Sequence, residues 1–288
     1  MTSTQYILLV ALFLGFGLLE YILGRAQKFN ANAGDNAQDM IGFVLLAAIT
    51  QPLIFKAVAL LGDKFVPQYK GMFADMPWWG MVLCFLVFDD MLQYWWHRLS
   101  HVSVLWPLHR AHHSAQYMSA RIIYRNNYFY YLFMPAIWMS GVLIYLGMIE
   151  VYLVYIVVKL AVITGAHSAV RWDEPLYKIK ALKPLMWLVQ RTISTPTTHF
   201  AHHAMYNNDG IGNYKGNFGN LMFFWDVLFG TAHITQQYPA QVGLREDELF
   251  GKEKWWIDLL YPVFWSKREH TVFKPGGKIY DETAELKN

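Results

Sequence analysis

Cysteine and charge are both scarce in this sequence. Its 288 residues include one cysteine, Cys84, so the chain can form neither a disulfide framework nor a metal site built from several thiolates. Charged residues make up 16% of the chain, whereas about 25% is usual for a soluble domain. The formal net charge of +3 is too small to favour a nucleic acid as a partner. The composition therefore argues against a soluble, disulfide-rich or nucleic-acid-binding protein.

Apolar and aromatic residues take the place of charge. Hydrophobic residues account for 55% of the chain and aromatic ones for 17%, as in membrane proteins whose aromatic side chains collect at the interfaces. A spanning helix needs about 20 mostly apolar residues, and the candidate stretches are residues 5–24, 41–62, 78–96 and 129–166. The last stretch is long enough for a hairpin that turns near residues 147–150, which gives four to five membrane segments. Residues 5–24 lack the flanking features of a cleaved signal peptide, so we expect a membrane anchor there.

Histidine is abundant and clustered. Nine of the eleven histidines lie between positions 97 and 203, and eight of these form three short clusters with the spacings H-x3-H, H-x2-H-H and H-x2-H-H. Residues three and four apart share one face of a helix, so each cluster can direct two or three imidazoles at one point. Imidazole suits iron, zinc, copper and nickel, and eight or nine rings exceed what one ion needs. We therefore predict two metal ions, with candidate ligands His97, His101, His109, His112, His113, His167, His199, His202 and His203.

The basic residues indicate on which side of the membrane these histidines lie. Arginines follow the third apolar stretch between residues 98 and 125, and lysines and arginines follow the hairpin between residues 171 and 191. By the positive-inside rule both connections are cytoplasmic. All three clusters then lie at one membrane face, together with His167 at the end of the returning arm. The isolated His233 and His270 are expected to be ordinary structural residues.

Two aspartates precede the first histidine cluster. Asp90, Tyr94, His97 and His101 follow the spacing of one helical face, so we expect the Asp90 carboxylate to accept a hydrogen bond from the non-ligating nitrogen of a histidine. Asp89 points off this face. The alternative for both aspartates is a shallow position from which they reach the interface.

The residues near the clusters leave three functions open. The sequence has no H-E-x-x-H motif of a zincin protease, and its helical clusters contain none of the carboxylates of Glu-x-x-His di-iron bundles. Nitrogen ligands suit iron and zinc equally. An oxygen-dependent metalloenzyme, a di-zinc membrane hydrolase and a histidine-rich metal transporter or sensor therefore remain. The lack of a nearby acid or base disfavours hydrolysis, and ligands at helix ends disfavour transport.

Several motifs together resemble the fatty acid hydroxylase and sterol desaturase superfamily. They are Asp90-x6-His97-Arg98-x2-His101, Leu105-Trp106-x2-His109-Arg110-x-His112-His113-Ser114, His167-Ser168, Thr195-Pro196-x2-His199-x2-His202-His203, and the closing segments Asn217-Phe218-Gly219-Asn220 and Trp225-Asp226-x-Leu228-Phe229-Gly230-Thr231. The sequence departs from the family pattern in two places. Phe200 and Ala201 stand where basic residues are common, and residues 212–216 form an insertion.

The resemblance implies a membrane enzyme with two iron ions that uses O2 and two electrons to hydroxylate or desaturate a membrane lipid, acyl chain or sterol. By motif position the eight clustered histidines would be its ligands, and His167 matches a further family histidine. The chain has neither a cytochrome b5 haem motif nor a G-x-G-x-x-G fingerprint, so a separate electron donor of the ferredoxin, cytochrome b5 or reductase type is expected. The short chain favours a bacterial inner-membrane enzyme.

The predicted architecture is an all-α, polytopic membrane helical bundle with a cytoplasmic helical cap that holds the histidine-rich di-metal site. Residues 1–77 would form N-terminal membrane helices, and residues 78–235 the catalytic domain. Residues 236–288 would be a cytoplasmic or membrane-surface tail. The aromatic residues of this tail, between 255 and 265, either lie along the membrane surface or pack against the cap.

Overall fold

The computed structural model describes residues 3–25 and 31–278, apart from the side chains of residues 3–10 and 13. Within these residues the regular elements are all helical, and β-structure is limited to two isolated bridges, Ile193 with Met222 and Ala204 with Val242. The predicted all-α class is therefore confirmed for the described part of the chain.

The first half of the chain consists of long apolar helices. They are α1 (Ser3–Ile22), α2 (Ala33–Val44) continued through a π-helical turn into α3 (Gln51–Phe65), α4 (Trp78–Phe85) continued in the same way into α5 (Met91–Ser100), α8 (Pro135–Tyr145) and α9 (Ile149–His167). The remaining helices are shorter and connect or cover them: α6 (Trp106–His113), α7 (Tyr128–Leu132), α10 (Glu174–Tyr177), α11 (Lys183–Thr192), α12 (Pro196–His202), α13 (Phe224–Leu228), α14 (Arg245–Phe250) and α15 (Trp255–Leu260).

Among the described residues, three helical segments are long and apolar enough to cross a membrane, namely Ala33–Phe65, Tyr128–Tyr145 and Ile149–His167. They contain the predicted stretch 41–62 and both arms of the predicted hairpin. The hairpin turns at Gly147, whose φ is +107° and whose Cα hydrogen faces the backbone of Ala74, so a side chain there would be strained and would collide. Residues 78–96 are helical but are not among the three segments, and residues 5–24 lie largely in α1, many of whose side chains lie outside the described residues. A total of four to five spans, and a cytoplasmic cap, stay predictions.

The two aspartates in the π-helical turn between α4 and α5 are buried inside the protein. Asp89 accepts hydrogen bonds from Ser140 Oγ (2.9 Å) and Tyr155 Oη (2.7 Å) and forms an ion pair with Lys159. Lys159 lies near the middle of α9, so the ion pair joins two helices of the bundle. Charged groups inside a membrane protein are tolerated when they face the bundle and pair with each other, and Asp89 has such a partner in Lys159.

A second buried charge network joins α2 to the histidine-bearing part of the chain. Arg125 is 2% exposed, and its guanidinium donates to Asp35 Oδ1 (2.6 Å), Asp39 Oδ1 (3.2 Å) and the carbonyl of Ala111 (3.0 Å). Ala111 lies between two histidines of α6. The position of α6 relative to α2 therefore depends on one buried arginine.

The tail packs against the same helix. Trp106 forms an apolar cluster with Ile257, Val272 and Phe273, and Arg110 forms ion pairs with the carboxylates of Glu246, Asp247 and Asp258. The aromatic residues of the tail differ in their exposure, and a position along the membrane surface stays a prediction. Tyr261 packs on Phe273 with ring centroids 5.3 Å apart, whereas the side chains of Phe264 and Trp265 are exposed.

Replacing Arg125 by Ala should lower the free energy of unfolding by about 3 kcal/mol, because Asp35 and Asp39 stay buried with one cationic partner fewer. The loss is at the lower end of the range for buried pairs, since Lys252 still pairs with Asp35 and Arg121 with Asp39. Denaturant unfolding of the detergent-solubilised protein measures it.

Lys178→Ala is the matched control for the loss of one cation. Lys178 pairs with Glu174 on the surface, with side chains 73% and 40% exposed, and this change should alter the free energy of unfolding by no more than about 0.5 kcal/mol. Equal effects of the two substitutions would contradict a stabilising role for the Arg125 network.

Candidate metal centre

All nine predicted histidines come together in two adjacent groups. Within each group the candidate ligand nitrogens lie within 4.8 Å of one another. The five-histidine group comprises His97, His101, His109, His113 and His202, and the four-histidine group comprises His112, His167, His199 and His203. The two groups touch, since the rings of His113 and His203 stack with centroids 4.4 Å apart.

Four helix ends deliver these side chains. His97 and His101 come from the last turn of α5 and its C-cap, three histidines come from α6, His167 ends α9, and the third cluster ends α12. Thr195 starts α12 with a capping box that involves Thr198, and Pro196 occupies the first turn. Proline is preferred in the first turn because its missing N–H has no intrahelical partner there, and a capping threonine is preferred because its side-chain oxygen accepts from an otherwise unpaired backbone N–H. The short helices thus have well-defined starts, and their histidines at i and i+4 share one face.

Histidine Nε2 atoms approach one another closely within each group. In the five-histidine group the Nε2 atoms of His97 and His202 are 2.9 Å apart. In the four-histidine group His167 Nε2 lies 2.7 Å from His199 Nε2 and 3.2 Å from His112 Nε2. Two nitrogens bound at right angles to one ion, each about 2.1 Å away, lie about 3 Å apart. The spacing fits pairs of ligands on a common metal ion.

The opposite ring nitrogens show that these Nε2 atoms carry lone pairs. His97 Nδ1 lies 2.7 Å from the carbonyl oxygen of Phe218, and His202 Nδ1 lies 2.7 Å from that of Gly216. A carbonyl oxygen only accepts, so each Nδ1 donates its proton and the Nε2 of the neutral ring is deprotonated. Two lone pairs that face each other in a buried site repel unless a cation lies between them. The donor set therefore fits a metal ion.

The other group is arranged in the same way. His112 Nδ1 donates to the carbonyl of Ile122 (3.1 Å) and His167 Nδ1 to that of Ile163 (2.8 Å). In the first group His109 Nδ1 donates to Asn126 Oδ1 (2.8 Å), which is the one side-chain acceptor among these contacts of the described residues. Such partners fix the tautomer and ring orientation of metal ligands.

Burial keeps the clustered imidazoles neutral. It lowers the pKa of His109, His112 and His113 well below the usual value for histidine, and neighbouring imidazoles lower it further. The pKa values of the third cluster are lowered by the same causes, namely those of His199, His202 and His203. Metal ions bind only the deprotonated ring, so the site needs no loss of protons from these rings near neutral pH.

Asp90 has a different partner from the one expected. Its Oδ2 accepts from the backbone N–H of Met222 (3.1 Å) and from Trp225 Nε1 (2.8 Å), while His97 donates to Phe218. The expectation of a direct hydrogen bond between Asp90 and a histidine ring was therefore wrong. The helical face was identified correctly, but the segment from Asn217 to Thr231 folds between the carboxylate and the rings. Asp90 acts on that segment rather than on an imidazole.

Asp226 holds the same segment from within. Its Oδ1 accepts from the N–H of Phe218 (2.8 Å) and from Thr231 Oγ1 (2.6 Å), and its Oδ2 accepts from the N–H of Gly219 (2.6 Å). These bonds fix the peptide whose carbonyl accepts from His97. Asp226 belongs to the closing motif of the sequence, but no local pattern indicates this role, and none indicates the role of Asn126.

The insertion and the substituted cluster positions also contribute to the site. The carbonyl of Gly216, in the insertion, is the acceptor for His202. Phe200 is buried, and the Arg171 guanidinium lies over its ring and over that of Tyr238. The Arg171 guanidinium therefore lies beside the third cluster, packed against two aromatic rings.

The two remaining histidines lie apart from both groups. His233 Nε2 contacts the carbonyl of Gly210 at 3.0 Å, and the ring of His270 stacks on Phe250 with centroids 4.4 Å apart. Both have the ordinary structural surroundings that their isolation predicted.

Comparisons with known proteins agree with the site. The family described as fatty acid hydroxylase matches residues 81–231, a range that contains all nine histidines. Alkylglycerol monooxygenase of Danio rerio is 28% identical over 262 residues, which cover 88% of this chain and 53% of that protein. The chain thus spans about half the length of this curated relative. No solved structure matches it. Because the family match covers half of the chain and its whole histidine constellation, the protein belongs to the fatty acid hydroxylase family.

Proposed function

We propose that this protein is an integral-membrane non-haem di-iron oxygenase that hydroxylates or desaturates a membrane lipid. The observation that carries the proposal is the pair of buried all-histidine groups, in which lone pairs converge at distances suited to metal ligation. Family membership supports iron as the metal and oxidation as the reaction. Two bound iron ions would supply, with O2, the oxidising power that an unactivated C–H bond requires and that acid–base side chains lack.

The chain's own residues would bind, orient and enclose the two ions. The five-histidine group would hold one ion and the four-histidine group the other. Carbonyl and carboxamide acceptors behind five of the rings would keep their Nε2 atoms directed inward, namely those of His97, His109, His112, His167 and His202. Eight of the nine histidines are buried, so bulk water would be kept away from the reacting atoms.

The substrate that we propose is a lipid with a long alkyl chain. Helix α9 can cross the membrane and ends at His167, so an alkyl chain in the bilayer would reach the metal centre along the ends of the spanning helices. The similarity to alkylglycerol monooxygenase supports such a substrate and favours hydroxylation over desaturation. Electrons would come from a separate donor of the ferredoxin, cytochrome b5 or reductase type.

The surrounding carboxylates favour oxidation over hydrolysis by a di-zinc site. Asp90 and Asp226 both accept hydrogen bonds from the segment between Asn217 and Thr231, from backbone N–H groups and from side-chain donors. Both carboxylates thus support this segment, whereas a hydrolytic site would need an acid or base positioned beside the histidines. A metal transporter or sensor is disfavoured because the ligands are buried at helix ends instead of following a path through the bilayer.

Replacing His202 by Ala should reduce bound iron from about two ions per chain and abolish lipid oxidation, because one ligand of the five-histidine group is lost. Elemental analysis of the anaerobically purified protein measures the iron. Mass spectrometry of lipid extracts detects the product as a gain of one oxygen or a loss of two hydrogens. Replacing His112 should have the same effect through the other group.

His233→Ala is the matched control, since this histidine lies outside both groups, and it should leave iron content and product unchanged. Zinc alone in the wild-type protein, with no oxygen consumption, would refute the proposed function. Full activity of the His202 variant would refute its role as a ligand.

Replacing Asn126 by Leu should weaken metal binding about 10- to 100-fold, as is usual when the partner of a ligating histidine is removed. The His109 ring would lose the acceptor for its Nδ1 proton. Competition with a metal chelator measures the affinity. Asn208→Leu, in an exposed loop, should not change it, and equal affinities of the two variants would show that Asn126 does not orient the ring.

The proposed location is the bacterial inner membrane, with the metal site on the cytoplasmic face. The test uses the variant Lys178→Cys with Cys84→Ala, because the Lys178 side chain is 73% exposed. The new thiol should react with a membrane-impermeant maleimide in inverted inner-membrane vesicles. Labelling in right-side-out vesicles instead would place the site on the opposite face.

A further inference from the structure

Glu20 is a buried acid on a helix whose neighbouring side chains are exposed. It is 2% exposed, whereas Leu18, Leu19, Tyr21 and Ile22 are between 46% and 66% exposed. The helix, α1, precedes the region that matches the family. A carboxylate buried in an apolar helix is costly, and such groups usually have a specific partner or function.

Four donors from two separate segments surround this carboxylate. Glu20 Oε1 accepts from the N–H of Ala120 (3.0 Å), from Ser168 Oγ (2.8 Å) and from the N–H of Ala169 (3.0 Å). Glu20 Oε2 accepts from Ser119 Oγ (2.7 Å). One side chain of α1 thus joins the segment that follows α6 to the segment that follows α9.

Both segments support the four-histidine group. Ser168 directly follows His167, and residues 119–120 lead into the turn that presents the carbonyl of Ile122 to His112 Nδ1. The Nε2 atoms of His112 and His167 lie 3.2 Å apart. A shift of either segment would change this distance, because each histidine is fixed by the segment that Glu20 holds.

We propose that Glu20 is a positioning residue for the metal ion of the four-histidine group. The proposal rests on the proposed di-metal centre. Glu20 touches neither the ion nor the substrate; its hydrogen bonds set the separation of His112 and His167. It has the same relation to this group that Asp226 has to the five-histidine group, where a carboxylate fixes the peptide that accepts from His97.

The hydrogen-bond pattern suits a test with Gln and Ala. In Glu20→Gln the amide oxygen can take the place of Oε1 and keep its three donors, while the amide nitrogen donates to Ser119 Oγ, which can also accept. This variant keeps the geometry and removes the charge. In Glu20→Ala four donors lose their acceptor and the two segments are no longer joined.

The experiment is a titration of the metal-free full-length protein with Co²⁺ in detergent micelles, followed by absorption spectroscopy. We expect two Co²⁺ per wild-type chain. Glu20→Ala should weaken one binding event at least tenfold and leave the other unchanged, and Glu20→Gln should resemble the wild type. Glu150→Ala, which removes an exposed acid at the other end of α9, is the control and should bind both ions normally.

A double-substitution cycle shows on which of the two histidine groups Glu20 acts. Adding Glu20→Ala to His167→Ala should cause little further loss of Co²⁺ binding, whereas adding it to His97→Ala should cost the second ion. Ser168→Ala, which removes one of the four donors, should weaken the same binding event less than Glu20→Ala and covers the case in which the latter does not fold.

Three results would overturn the inference: two unchanged binding events in Glu20→Ala and Ser168→Ala, an equal loss of both events, or a Glu20→Gln variant as defective as Glu20→Ala. A wild-type chain that bound fewer than two Co²⁺ would instead contradict the proposed di-metal centre. The two failures are therefore distinguishable without any measurement of lipid oxidation.

Discussion

The site depends on hydrogen bonds that the chain makes to the Nδ1 side of its histidine rings. His97, His112, His167 and His202 each donate to a backbone carbonyl, and this leaves an unprotonated Nε2 directed into the group. The ring tautomer and orientation are thus set by the protein before any ion binds. A backbone carbonyl cannot change its position without a change in the backbone. The orientations of these histidine rings therefore depend on how accurately the surrounding loops are folded.

Buried carboxylates hold those loops in place. Asp226, assisted by Asp90, fixes the segment that accepts from His97, and Glu20 joins the two segments behind His112 and His167. Asp226 and Glu20 accept N–H or O–H donors at both oxygens, which offsets the cost of their burial, and Asp90 accepts two donors at its Oδ2. The carboxylates around the histidine groups therefore hold loops in position, whereas the groups proposed to bind the ions consist of neutral nitrogen ligands.

The same logic connects the centre to the rest of the molecule. Arg125 joins α2 to the carbonyl of Ala111 in α6, and Arg110 joins α6 to three carboxylates of the tail. Both arginines emerge from the part of the chain that carries the second histidine cluster. Segments before and after residues 81–231, the region that matches the family, therefore contribute to the position of α6. The described part of the tail packs directly against this histidine-bearing helix.

Local patterns in the sequence predicted the helical class, the hairpin turn at Gly147, the convergence of nine histidines and the helical face of Asp90. These features follow from spacings of three and four residues and from long apolar runs, which depend on local geometry alone. Such patterns could not divide the histidines into groups of five and four, since that division depends on how α5, α6, α9 and α12 meet. Nor could they identify the partner of Asp90 or the roles of Asn126, Asp226 and Glu20. Those contacts join residues far apart in the chain, and only the packing of the loops around the helix ends decides which carbonyl faces which ring.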